Sequence, residues 1–147
     1  MVRAGRTVAV EFLAETPDAR LPSRATDGSA CFDVAAAAPA VLARGRVELV
    51  RTGFKVRCPP GTFLEVRPRS GLASRGVLMV NAPGTIDADY SGEVRVPLTY
   101  LFEGEYRIEV GDRIALVRLV GESPASFRRG RVPPVPSRAG GFGSTGR

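Results

Sequence analysis

Val94-Arg95-Val96-Pro97-Leu98, followed by Tyr106-Arg107-Ile108-Glu109-Val110 and then Ile114-Ala115-Leu116, decides the fold class of this chain. Apolar side chains recur there at every second position, the period of a strand with one buried face. Val8, Val10 and Phe12, and again Val47 and Leu49, repeat the pattern nearer the N-terminus. Between these segments stand Thr26-Asp27-Gly28, Pro59-Pro60-Gly61, Ala82-Pro83-Gly84 and Gly111-Asp112, all of them turn sequences. With 17 glycines and 12 prolines the chain has no room for a long amphipathic helix. Only Ser70 to Arg75 has the makings of a helical turn or two, with Ser70 as its cap. The expected architecture is all-β, a sandwich or a jelly-roll-like barrel.

At 147 residues, 44% of them hydrophobic, the chain has material for one core and is too short for two ordinary domains. Beyond Leu119 the alternation dissolves into Gly, Pro, Ser and Arg. We therefore expect a single β domain over residues 1–120 and a C-terminal arm over 121–147. In that arm Val132-Pro133-Pro134-Val135-Pro136 is stiff and Gly140-Gly141-Phe142-Gly143 is a flexible tip. No stretch reaches the roughly 18 apolar residues of a membrane span. The apolar run after Arg3 and Arg6 is interrupted at Glu11, which argues against a signal peptide. No membrane association and a cytoplasmic location are the expectations.

The chain contains no histidine and two cysteines, Cys31 and Cys58, far apart in sequence. Ordinary zinc ligand sets and Ser-His-Asp or Cys-His chemistry are thereby excluded, and both cysteines read as reduced structural thiols. Catalysis must rest on carboxylates, hydroxyls, arginines or a metal. The net charge of +6 invites a nucleic-acid reading, but residues 121–147 hold five arginines and one acidic residue, a net of +4. A basic tail suits a polyphosphate as well as a nucleic acid, and the aromatic platform of a nucleic-acid binder is missing.

Three segments carry more chemistry than folding needs. Arg67-Pro68-Arg69-Ser70-Gly71-Leu72-Ala73 sets arginines, a hydroxyl and a glycine at the start of the helical turn, a combination suited to anions. Asn81 to Arg95, a hairpin-like stretch, crowds an amide, two aspartates and a tyrosine around a Pro-Gly turn. The tail from Arg138 to Arg147 places one phenylalanine among glycines, two hydroxyls and two arginines, suited to wrapping phosphate oxygens and covering a base.

With two further segments these stand in the order of the five motifs of the trimeric deoxyuridine triphosphate pyrophosphatase (dUTPase) family, which the chain resembles over nearly its whole length. The five are Ser29-Ala30-Cys31-Phe32-Asp33-Val34, Arg67 to Ala73, Gly84 to Val94, Gly111-Asp112-Arg113-Ile114-Ala115, and Gly140 to Gly146. The resemblance implies a β-clip or distorted jelly-roll-like barrel with one short helix and an extended C-terminal arm. It also implies a homotrimer whose three sites each draw on all three chains, with dUTP as substrate and Mg²⁺ as cofactor. Asp87 resembles the general base that activates water for attack on the α-phosphorus. Tyr90 resembles the residue under the deoxyribose that leaves no space for a 2′-hydroxyl. Asn81 and the backbone of Gly84, Thr85 and Ile86 resemble the uracil reader. Arg69, Ser70 and Gly71 resemble the phosphate cradle, and Asp33 the acid that holds magnesium through its water shell. Phe142 with Gly143 resembles the lid over uracil, and Ser144, Thr145 and Arg138 resemble phosphate ligands supplied by the arm.

Three positions depart from the family pattern. Cys31 replaces a glycine, Leu116 replaces a phosphate-binding glutamine, and Arg138 is displaced by one because Ser137 stands where the arginine is expected. Two other readings follow: a catalytically weak nucleotide-binding regulator on the same fold, motivated by Leu116 and Arg138, and a related dCTP deaminase. The deaminase needs a glutamate beside the base, which Gly84-Thr85-Ile86-Asp87 does not supply.

Overall fold

A computed structural model describes residues 7–133. These residues form eleven strands and one short helix: β1 (Glu11–Ala14), β2 (Phe32–Ala35), β3 (Ala40–Ala43), β4 (Glu48–Arg51), β5 (Phe54–Arg57), β6 (Thr62–Arg67), α1 (Ser70–Ala73), β7 (Val77–Met79), β8 (Gly84–Ile86), β9 (Arg95–Tyr100), β10 (Glu105–Ile108) and β11 (Arg113–Gly121). They pair antiparallel into a four-stranded sheet ordered β2-β11-β6-β8 and a three-stranded sheet ordered β4-β9-β7, with two-stranded ribbons β1-β5 and β10-β3. No helix among the described residues is long and apolar enough to cross a membrane.

Val34, Leu42, Val50, Phe54, Val96, Leu98, Ile108 and Ile114 are all but inaccessible to solvent and form the centre of the core. Val94, Val96 and Leu98 face inward together, as their alternation predicts. The same periodicity misplaces β4. Val50 is buried while Val47 and Leu49 are 56% and 52% exposed, so the apolar pair read as the inner face lies outside. A short segment that is apolar at adjacent positions does not say which of its faces meets the core. Val110 falls beyond the end of β10 and is exposed, and Val8 and Val10 precede β1. β11 is covered on both faces, since Ile114, Ala115 and Val117 are all buried.

Helix α1 begins one residue earlier in function than expected. Arg69 occupies the N-cap position with extended backbone, no side chain caps the turn, and Ser70 is the first helical residue. The stretch from Asn81 to Arg95 is also not a paired hairpin: β8 pairs with β6, whereas β9 pairs with β4 and β7. It is a bridge between the two larger sheets. The segment before it, β7, returns to β9, so the loop over residues 87–94 leaves one sheet and enters the other.

Gly53, between β4 and β5, has φ of +70°, and a Cβ there would collide with Thr16 Oγ1 and Ala37. Only glycine suits this turn. Beside it Thr52 is fully buried and donates its hydroxyl to Val94 O at 2.5 Å. Both cysteines are free, Cys58 buried and Cys31 half-buried. Burial pushes the Cys58 thiol up, against a lowering bond with the Leu64 backbone, in keeping with a structural thiol. β11 ends at Gly121, and residues 122–133 carry no regular element, with Phe127 and Val132 exposed.

Candidate active site

Two clefts collect the sequence-predicted residues that the structure describes, except Asp87, which lines neither. The first, of about 220 Å³, is lined by Asn81, Gly84, Thr85, Ile86 and Tyr90 together with Val66, Val94, Arg95 and Pro97. Its floor is the backbone of β8. Gly84 is buried there, and a Cβ on it would stand 3.1 Å from Asn81 Nδ2 and 3.3 Å from Val66 Cβ. Glycine therefore lets the Asn81 amide and the backbone line one narrow slot, which suits a flat heterocycle with donors and acceptors on its edge. Tyr90 closes one side, 46% exposed, with its hydroxyl donating to Glu93 O at 3.0 Å.

Asp87 follows β8 directly and is exposed. A turn in which Tyr90 N donates to Asp87 O at 3.1 Å ties the two residues together. The residues that resemble the base and the sugar contact thus sit on one turn, of which Tyr90 lines the slot.

The second cleft, of about 340 Å³, gathers Ser29, Cys31, Asp33, Arg69, Ser70, Gly71, Arg113 and Leu116, with Ala25 and Ala30. Asp33 lies on β2, its side chain only 10% accessible, between two arginines. Arg69 Nε is 2.9 Å from Oδ1 and Arg113 Nη1 is 3.6 Å from Oδ2. The first contact is close but not aligned as a hydrogen bond, so buried Oδ1 retains an unfilled acceptor. Arg69 also donates through Nη1 to Arg113 O at 3.1 Å, which fixes its guanidinium across the β6 and β11 ends. Two cations on one carboxylate leave the cleft with a surplus of positive charge, as phosphate binding requires.

A hydrated Mg²⁺ fits this arrangement on one count: Asp33 Oδ1 is a buried carboxylate oxygen without an aligned donor, which a metal-bound water would fill once Arg69 turned aside. No group of three carboxylates, cysteines or histidines able to hold a metal directly exists among the described residues. Phosphate oxygens of a ligand would supply the remaining contacts.

The sequence profile of the dUTPase family matches residues 17–146. The chain belongs to the dUTPase family. Among its relatives is a deoxyuridine 5′-triphosphate nucleotidohydrolase of Anaeromyxobacter sp. (strain Fw109-5), 47% identical over 142 residues, covering 89% of this chain and 90% of that protein. The protein of the same description from Desulfotalea psychrophila is 45% identical over 145 residues, covering 93% and 97%. Among solved structures, a mutant dUTPase of Staphylococcus bacteriophage 80alpha with dUpNHpp superposes with a TM-score of 0.81 at 24% identity, covering 95% of this chain and 99% of that one. A mutant dUTPase from phage phi11 of S. aureus, described for its coordination of a structural Mg(II) ion, gives a TM-score of 0.76 at 20% identity, covering 85% and 98%. At those identities the likeness establishes the fold, a jelly-roll-like β-clip.

Within this dUTPase-family chain the predicted residues fall into two groups. Asn81, Gly84, Thr85, Ile86 and Tyr90 share the slot; Asp33, Arg69, Ser70 and Gly71 share the basic cleft. No described residue lines both. Arg138, Phe142, Gly143, Ser144 and Thr145 lie outside the described residues. Leu116 lines the basic cleft, half-buried, in place of pointing into the core, despite a register irregularity in β11 between Arg113 and Ala115. Arg113 stands beside it, whereas Arg118 is engaged with Glu65 at 2.7 Å.

Sequence reasoning passed over Glu93. Its side chain is 8% accessible and takes bonds from Arg51 Nε at 3.1 Å, Gly53 N at 3.0 Å and Arg95 Nε at 3.0 Å. Burial alone would raise its pKa, but the bonds from Arg51, Gly53 and Arg95 outweigh burial and hold it below the ordinary value of 4.5. A carboxyl depressed in the fold adds stability above its unfolded pKa and loses it as pH falls through the folded value. The melting temperature of Glu93→Gln should therefore lie below that of the wild type at neutral pH, with the gap narrowing below about pH 4.5. Melting curves of both proteins from pH 7 to pH 3 test this; a gap that widens on acidification contradicts the assignment.

Proposed function

We propose that this chain hydrolyses dUTP to dUMP and pyrophosphate, as the names of its relatives describe for them. The observation that carries this reading is the separation of a heterocycle slot, built from Asn81 and the third motif, from an arginine-lined cleft around Asp33, built from the first, second and fourth. Because no described residue lines both, the described part of one chain keeps the base slot and the phosphate cleft apart. A homotrimer in which one subunit's slot faces the next subunit's basic cleft joins them. Leu49 and Leu78, exposed on the outer face of the β4-β9-β7 sheet, supply apolar surface for such packing.

In the proposed reaction the slot holds uracil against Asn81 and the β8 backbone, and Tyr90 lies along the deoxyribose. Asp87 accepts a proton from water as the oxygen bonds to the α-phosphorus. The bond from that phosphorus to the oxygen bridging it to the β-phosphate breaks, and pyrophosphate departs. Arg69, Ser70, Gly71 and Arg113 hold the phosphate oxygens and stabilise the charge that develops on them. Mg²⁺, held by Asp33 through water and by the phosphates, would neutralise part of the triphosphate charge and polarise the α-phosphoryl oxygen. The segment 121–147 acts as an arm whose Phe142 and Gly143 cover uracil, while Ser144, Thr145 and Arg138 reach the terminal phosphate. Pyrophosphate release from dUTP, measured beside dCTP, dTTP and UTP, tests the whole reading. Equal rates on all four, or release from none, overturns it.

Leu116 favours a second reading, a nucleotide-binding regulator with weak turnover, since it turns an apolar side chain toward the cleft. One hydrogen bond to a charged phosphate oxygen is worth about 1.5 to 3 kcal/mol, which an enzyme with several donors tolerates. Arg113, alongside Leu116, is placed to supply a donor. We expect Leu116→Gln to raise kcat/KM for dUTP modestly or not at all. A gain above about a hundredfold would mark the natural site as crippled and move the assignment to the regulator.

A further inference from the structure

Tyr90 is nearly half exposed, so packing alone does not fix the direction of its ring. Its constraint is the hydroxyl bond to Glu93 O at 3.0 Å. The backbone that receives this bond is itself held closely. Gly92 lies so near the phenol that any Cβ there would collide with the Tyr90 hydroxyl. Glu93 then turns its carboxylate inward, where Arg51, Gly53 N and Arg95 donate to it. The next residue is stapled to the same turn: Val94 N donates to Phe54 O at 2.9 Å, and Thr52 Oγ1 donates to Val94 O. The loop that begins at Asp87 is thus moored, at its far end, to the β4-β5 turn some 40 residues upstream in sequence.

Arg51 and Arg95 are direct cross-strand partners on β4 and β9. Two like charges so placed repel, and Glu93 lies between them to offset both. Without its carboxylate the arginines separate. Arg95, which lines the slot, would then shift with them, and the Glu93 carbonyl would be held only through its neighbour Val94.

We infer that Glu93 is a positioning residue for sugar selection: its carboxylate, clamped by Arg51, Arg95 and Gly53, holds the carbonyl that tethers Tyr90 against the 2′ position of the substrate. The inference rests on the reading of Tyr90 as the group that excludes a 2′-hydroxyl. It adds that the exclusion depends on a carboxylate touching neither substrate nor Tyr90's ring. A mobile ring admits a ribose that a tethered ring rejects.

The test is kcat/KM for dUTP and for UTP with the full-length protein, as wild type, Tyr90→Ala, Glu93→Gln and Arg51→Met. Tyr90→Ala should lower the dUTP to UTP ratio about tenfold or more, and Glu93→Gln about fivefold, mainly by raising kcat/KM for UTP relative to dUTP. Arg51→Met, at a half-exposed position, should shift the ratio the same way by about threefold. A purely structural role for Glu93 lowers the folded fraction and both rates together, leaving the ratio where it was, and that outcome overturns the inference. If Tyr90→Ala moves the ratio but Glu93→Gln and Arg51→Met do not, Glu93 is not a positioning residue while the Tyr90 reading stands. If Tyr90→Ala itself leaves the ratio unchanged, the sugar-gate reading fails and takes the inference with it. Should Glu93→Gln not fold, Arg51→Met decides alone.

Discussion

Replacing Asp87 by Asn should lower turnover of dUTP by roughly 10²- to 10⁴-fold, the usual worth of a positioned base, while leaving fold and nucleotide affinity nearly unchanged. The expectation follows from where the residue sits. Asp87 is exposed just past the end of β8, so its carboxylate meets solvent and takes no part in the core. Its backbone, through the carbonyl that accepts from Tyr90 N, serves the turn, and Asn retains that carbonyl. Removal of the proton acceptor alone is therefore the change being measured. Single-turnover rates with excess enzyme, beside equilibrium binding of a non-hydrolysable dUTP analogue, separate the chemical step from affinity. Wild-type turnover in Asp87→Asn would remove the residue from its role. A loss of binding equal to the loss of rate would recast it as a nucleotide contact.

Arg69→Met should cost about a hundredfold in kcat/KM for dUTP, through two effects that act together. The first is the missing guanidinium: a hydrogen bond to a charged oxygen is worth about 1.5 to 3 kcal/mol, or roughly tenfold to a hundred-and-fiftyfold. The second is Asp33. Its carboxylate is only 10% accessible and has Arg69 at 2.9 Å, with Arg113 farther away at 3.6 Å and half exposed. Once Arg69 is gone, a nearly uncompensated carboxylate faces an incoming triphosphate and repels it. The double variant Arg69→Met with Asp33→Asn separates the two effects. Its affinity for inorganic triphosphate without metal should recover part of what Arg69→Met alone loses. No recovery would mean that Asp33 exerts no repulsion and that the whole loss is the missing donor. A drop in kcat/KM below about threefold in the single variant would take Arg69 out of the phosphate cradle.

These expectations draw unevenly on sequence and on structure. The alternation through Val94, Val96 and Leu98, the spread of glycine and proline, and the absence of histidine are local or compositional features, and they determine an all-β chain whose chemistry rests on carboxylates and arginines. Motif order likewise marks Asp33, Gly84, Tyr90 and Arg69 without any knowledge of contacts, because each motif is a short continuous segment. Tertiary structure alone decides which of these residues meet. Arg113 reaches Asp33 across 80 positions of sequence, because β2 and β11 are neighbours in one sheet. Glu93 finds Arg51 across 42 positions, because β9 lies beside β4. Strand pairing of this kind is a non-local choice, and period-two patterning leaves it open. The face of a short strand is open too, as Val47 and Leu49 demonstrate by lying outside while Val50 is buried. Leu116 is the sharpest instance: its apolar character suggests the core while its motif position suggests the phosphate site, and the packing of β11 between β2 and β6 turns it toward the basic cleft.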